Sequence, residues 1–170
     1  MSTQTQDAFA AFVASRQRGL QRTAWLLTGD WAAAEDLVQN ALAKAWRRWD
    51  RVSSADDPDA YVRRVLVNEF ASSWRRRWRG EIPTADVPER LGGDVADGVV
   101  IRVAVATALT RLTRRQRAVL VLRYVDDLPE AQVAAALGCA VGTVKSTGSK
   151  ALARLREDPL LAGFHEGVRP

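Results

Sequence analysis

Residues 80–98, "GEIPTADVPERLGGDVADG", constrain the fold more than any other stretch. They carry two Pro, four Gly, an excess of acid and no sustained apolar period, the composition of a linker. On either side apolar residues recur at helical spacing, and no segment alternates as a half-buried strand would. All six Trp precede the break. A chain of 170 residues divided there builds two small cores. The expectation is an all-α protein of two small helical domains joined by a flexible linker. Residues 1–79 form a three- to four-helix bundle, 80–98 the linker, 99–157 a helix-turn-helix domain and 158–170 a frayed tail.

Local signals place the helices. Phe9, Phe12, Val13, Leu20, Ala24 and Leu27 share one face of a first helix that Gly29 ends. Asp30 caps a second, over 30–50, with Leu37, Val38, Ala41, Leu42, Ala45, Trp46 and Trp49 in step. Asp57 before Pro58 starts a third, with Tyr61, Val62, Val65, Leu66, Phe70, Trp74 and Trp78 as its stripe. Beyond the linker, residues 99–112 read as helix. Thr113 with Gln116 is a capping box for the helix over 114–125.

Residues 129–156 match a helix-turn-helix position by position. Val133 and Leu137 face the second helix, Ala134 is small where the two cross, and Gly138 takes the left-handed turn position. Cys139, Val141 and Val144 then fill the inner side, continued by Thr147, Ala151, Leu152 and Leu155. A plain helical hairpin would need only amphipathicity. The outward positions become Thr143, Lys145, Ser146, Ser149 and Lys150. They explain why "VGTVKSTGSK" is built from poor helix formers. Short hydroxyls let a helix approach base edges, and two of the chain's three lysines offer phosphate or guanine contacts.

Charge agrees with a nucleic-acid partner. Residues 1–79 carry 13 Lys+Arg against 9 Asp+Glu, residues 80–100 one against five, and residues 101–170 eleven against six. Two basic blocks thus flank an acidic one, the footprint of phosphate binding or of a merely solvated surface. Within the first block, Trp74, Arg75, Arg76, Arg77, Trp78 and Arg79 follow one another. The tryptophans continue the apolar stripe and read as core. The clustered arginines repel one another and read as phosphate contacts, with stacking of unpaired bases as a further use of the aromatics.

Enzyme chemistry finds no support. One His (His165) and one Cys (Cys139) cannot make a zinc site, and no Walker or GxGxxG loop occurs. Asp56, Asp57 and Asp59 read as a capping loop, and Cys139 as a small buried residue. No cofactor and no metal are expected. No apolar run approaches a bilayer span and the N-terminus has no export signal, so no membrane insertion is expected and the location is cytoplasmic.

The order "AEDLVQNALAKAWRRWD", "YVRRVLVNEFASSWRRR" and "LTRRQRAVLVLRYVDDLPEAQVAAALGCAVGTVKSTGSKALARLR" resembles the extracytoplasmic-function (group IV) RNA polymerase sigma factors, in particular the SigE-like actinobacterial subset. The resemblance spans residues 7–157. It implies a region 2-like domain, a linker threaded through polymerase and a region 4-like domain. The implied function is promoter-specific initiation through −10 and −35 elements, with core RNA polymerase, promoter DNA and often an anti-sigma factor as partners.

Carried over by motif, Asp36, Leu37, Gln39, Asn40 and Trp46 would dock on polymerase. Loop 51–57 with Asn68, Trp74, Arg75, Arg76, Arg77 and Arg79 would recognise the −10 element. Thr143, Lys145, Ser146, Ser149 and Lys150 would read the −35 element. Asn40 stands where an acid is usual, Pro129 and Ala140 where capping Ser or Thr is common, and Thr147–Gly148 where an arginine-containing run is common. Gly148 costs its helix about 1 kcal/mol against Ala. A stand-alone helix-turn-helix regulator, or a helical adaptor without a DNA role, would share the pattern in part.

Overall fold

The computed structural model describes residues 3–77 and 97–165, and these are helical with no strand among them. Most of the linker, 80–98, and Trp78 and Arg79 lie outside the described residues. The chain divides into two compact units, residues 1–81 with 136–138, and residues 82–135 with 139–170.

The first unit holds α1 (Thr3–Thr28), α2 (Trp31–Trp46), α3 (Trp49–Ser53) and α4 (Pro58–Arg77). Gly29, at φ 70°, ends α1 in the left-handed conformation that costs glycine nothing. The Asp30 side chain then accepts from the Ala33 amide at 2.7 Å and starts α2. Asp57 does the same for α4, accepting from Ala60 at 3.0 Å. α2 packs against both α1 and α4. Ala34, Ala41 and Ala45 on it are fully buried, so both neighbours can approach closely. Leu20, Leu27, Val38, Val62, Leu66 and Phe70 close the core around them, and Lys44 of α2 is ion-paired with Glu69 of α4.

The second helix is shorter than expected. It stops at Trp46, and Arg48, at φ −127° and ψ 26°, leaves helical geometry before α3 begins. The break turns the Trp49 indole onto α1, where its ring centre lies 5.0 Å from Phe9 and 5.2 Å from Phe12. Burying an indole outweighs the helical hydrogen bonds given up at the break.

The second unit holds α5 (Asp97–Thr110), α6 (Arg114–Leu120), all but the last two residues of α7 (Glu130–Leu137), α8 (Val141–Arg156) and α9 (Pro159–His165). The capping box of α6 is complete: the Gln116 amide donates to Thr113 Oγ1, and the Thr113 amide donates to Gln116 Oε1, both at 3.2 Å. After Leu120 the helix widens into a π-helical turn, Val121–Val125, closed by the Asp126 amide donating to the Val121 carbonyl at 3.0 Å. The widening keeps Val119–Leu122 buried and turns Tyr124 and Val125 to solvent. Asp127 then takes a left-handed φ of 53°, and Arg123 donates to the Leu128 carbonyl at 2.6 Å.

In the helix-turn-helix, Val133, Ala134, Leu137, Val144 and Ala151 are buried and Gly138 is left-handed at φ 65°. Val141 differs from expectation: at the first position of α8 it is 39% exposed. Cys139, Thr147, Leu152 and Leu155 are half-buried.

The expected frayed tail is also corrected, since residues 159–165 form α9. Asp158 makes this possible. Its carboxylate accepts from the Leu160 amide at 2.9 Å, capping α9, and from Arg111 Nη1 at 3.0 and 3.1 Å. Leu161 and Leu155 pack with Ala104 and Ala108 of α5.

Candidate nucleic-acid and polymerase interfaces

α8 has two unlike sides. Its inner stripe is Val144, Thr147, Gly148 and Ala151. Its outer side presents Val141, Gly142, Lys145, Ser146, Ser149 and Lys150 to solvent. Of the expected readers, Lys145, Ser146, Ser149 and Lys150 share this exposed side and Thr143 is half-buried at its edge. The Ser146 hydroxyl donates to the Thr143 carbonyl at 3.2 Å, so it must rotate to meet another acceptor. Lys145 Nζ lies 3.7 Å from Glu130 Oε2 at the start of α7. Arg154 Nη1 donates to Gln116 Oε1 at 3.2 Å. Arg117 is buried on α6. Desolvation, with the neighbouring Arg114 adding to it, lowers its guanidinium from the ordinary arginine value to about 10. A value near 10 leaves Arg117 charged in the neutral range, and because it is lowered on folding it costs stability there, in full at every pH below about 10.

On α4, Asn68, Arg75 and Arg76 are exposed, and Arg64, four residues before Asn68, joins their side of the helix. Trp74 does not belong with them. It is 7% exposed, with its ring 5.7 Å from Phe70, so a base has no access to its faces. Arg77 ends α4, but its side chain, like all of Arg79, lies outside the described residues. Before α4, Arg51 of α3 and Asp56 of the loop that follows are exposed, and Asp57 is engaged as the α4 cap.

On α2, Asp36, Gln39 and Asn40 are exposed, and Ala43 and Arg47 extend their stripe. Leu37 points the other way and is 7% exposed, so its side chain holds α2 in the bundle. Trp46 is half-buried, with its ring 4.8 Å from that of Phe9. It bridges the surface and the core.

The expected residues thus sort into three exposed surfaces, with Leu37 and Trp74 withdrawn into the core. Three features escaped sequence reasoning. Val141 and Gly142 bring a small apolar end to the outer side of α8, Glu130 stands beside Lys145, and Gly148 belongs to the packed side. Only Gly148 left a usable signal, since it falls four residues after Val144 on the inward stripe.

Comparison with known proteins places the chain. Sigma-70 region 2 matches residues 12–80 and Sigma-70 region 4 matches residues 102–155. The RNA polymerase sigma-E factor of Streptomyces coelicolor is 41% identical over 150 residues, covering 88% of this chain and 85% of the relative. The chain belongs to the extracytoplasmic-function RNA polymerase sigma factors. A sigma factor binds core RNA polymerase and directs it to promoters. The extracytoplasmic-function sigma factor SigL of Mycobacterium tuberculosis is 34% identical over 142 residues, 81% of this chain and 80% of the relative. Among solved structures, the sigma factor RpoE of Bartonella quintana, determined in complex with the anti-sigma factor NepR, superposes with a TM-score of 0.56 at 29% identity. That match covers 91% of this chain and 97% of RpoE. Among the described residues of this sigma factor, no helix is long and apolar enough to cross a membrane, and no group of three or more His, Cys, Asp and Glu could hold a metal ion.

Proposed function

We infer that this sigma factor divides its work among the three exposed surfaces. The outer side of α8, with Lys145, Ser146, Ser149, Lys150 and the edge residue Thr143, reads the −35 element in the major groove. Asn68, Arg75 and Arg76 on α4, with Arg77, Arg79 and loop 51–57, hold the opened −10 element. Asp36, Gln39, Asn40 and the rim of Trp46 on α2 dock on core polymerase. Residues 1–79 act as the region 2 domain, 80–98 as the linker and 99–157 as the region 4 domain. The protein works in the cytoplasm and contributes binding, while polymerase makes the bonds. Its likeness to RpoE brings an anti-sigma factor to this chain as a further partner.

The observation that carries the −35 assignment is the sorting of α8. Bulk and packing gather on one side, while the other is kept to short hydroxyls, glycine and two lysines. Such a surface can enter a groove without clash and still meet phosphates and base edges. Unpairing the −10 bases costs a few kcal/mol, which contacts to the displaced strand offset.

The experiment adds purified protein to bacterial core polymerase with a genomic fragment library and maps the 5′ ends of transcripts. Starts that depend on the protein and share a −35/−10 pattern are expected. A DNA shift without transcripts would support a stand-alone regulator, and neither signal would support an adaptor. Lys145→Ala with Lys150→Ala should weaken promoter binding by the holoenzyme and flatten its salt dependence, and an unchanged salt slope overturns the −35 assignment.

A further inference from the structure

We propose that Glu130 is a specificity-determining residue of the −35 interface, acting through Lys145; this deepens the −35 assignment of α8 and rests on it. Glu130 lies in the first turn of α7, where the positive end of the helix dipole favours a carboxylate. Its Oε2 is 3.7 Å from Lys145 Nζ, and the Lys145 side chain is 64% exposed against 35% for Glu130. The anchored carboxylate therefore holds the mobile ammonium, drawing it toward α7.

The consequence differs between DNA sequences. Any duplex offers phosphates, and binding to them is electrostatic and sequence-independent. A phosphate that captures Lys145 leaves Glu130 uncompensated beside a polyanion, so non-specific binding is penalised. A guanine presents O6 and N7 as acceptors at the groove floor. An ammonium with three donors can meet that edge and keep its partner. The paired cytosine amino group can donate to a carboxylate in turn. Glu130 thus taxes binding to the wrong sequence more than to the right one. On a helix side whose cations are Lys145 and Lys150, neutralising one of them is a large fraction of the attraction.

The test uses the full-length protein bound to core polymerase. The probes are a duplex promoter that this holoenzyme selects from a randomised −35 library and the same duplex with its −35 sequence shuffled. Both are titrated across a salt series. Glu130→Gln is expected to tighten the shuffled duplex more than the selected one, lowering their affinity ratio roughly two- to fivefold, the span of an exposed ion pair. It should also steepen log K against log salt by about one phosphate contact. In a Lys145→Ala background the loss of ratio should vanish. An unchanged ratio in Glu130→Gln, or the same loss of ratio in the Lys145→Ala background, overturns the proposal and leaves the −35 assignment intact. If Lys145→Ala with Lys150→Ala leaves promoter binding and its salt slope unaltered, the −35 assignment itself fails and this proposal with it.

Discussion

Gly148 of α8 faces Val119 of α6 with room for one methyl group: a Cβ at Gly148 would stand 3.5 Å from Val119 Cγ1, in ordinary van der Waals contact. The glycine is therefore a packing position, and nothing in its surroundings requires it. Gly148→Ala is expected to stabilise the second unit by about 1 kcal/mol, through helix propensity and a filled contact. Its unfolding midpoint should rise by several degrees. Promoter affinity should stay constant, since the residue does not reach the outer side. Gly142 is the control. It is exposed, with nothing within 4 Å of a would-be Cβ, so Gly142→Ala adds a methyl to the outer side and should alter −35 affinity. Thermal unfolding and holoenzyme binding on the same variants separate the two roles.

Local chemistry was legible in the sequence. Asp30, Asp57 and the Thr113–Gln116 pair announce helix starts because a capping oxygen acts within three residues. Gly29 and Gly138 announce turns because their backbone requirement is local. The inner residues Val133, Val144 and Ala151 followed from periodicity. What was not legible depends on distant partners. No Pro or Gly marks the break at Arg47–Arg48; it follows from Trp49 meeting Phe9 and Phe12 on another helix. α9 begins at Asp158, whose carboxylate caps it and pairs with Arg111, 47 residues earlier in the sequence. Leu37 and Trp74 show a different limit. Periodicity placed both inside while the family motif assigned both to binding surfaces, and both are buried, because burial follows geometry residue by residue.

That contrast on α4 can be measured. Trp74 is buried against Phe70, while Arg75 and Arg76 beside it are exposed. Trp74→Ala should lower the stability of the first unit by about 3–5 kcal/mol, the usual cost of emptying an indole site. Arg75→Ala with Arg76→Ala should leave urea unfolding unchanged within about 0.5 kcal/mol and instead impair promoter opening. Permanganate footprinting of the −10 region reads the opening directly. A normal footprint in the double arginine variant would remove those residues from the −10 surface.

Asp158 joins two tasks in one carboxylate, the α9 cap and the Arg111 pair. Its side chain is 8% exposed, so its bonds are shielded from water. Asp158→Ala is expected to cost about 1–3 kcal/mol, the sum of a lost cap and a lost charge-assisted bond. The loss should be local first. Hydrogen exchange should rise over residues 159–165 before it rises in α6 or α8. Asp158→Asn keeps an acceptor for the Leu160 amide but not the charge, and should fall between the two. Uniform exchange across the whole unit in Asp158→Ala would mean that α9 and the helix-turn-helix unfold as one cooperative block.

On α2, neighbours in sequence should behave as opposites in experiment. Asp36 and Asn40 lie one turn apart on the exposed stripe, and Leu37 lies between them in sequence but in the core. Leu37→Ala should cost about 2–5 kcal/mol of stability and weaken polymerase binding only as far as the bundle unfolds, so lowering the temperature should restore it. Asp36→Ala with Asn40→Ala should leave the unfolding transition in place and lower affinity for core polymerase at every temperature. Fluorescence titration of labelled protein with core polymerase at two temperatures distinguishes them. Equal temperature dependence in both variants would place the docking surface elsewhere on the first unit.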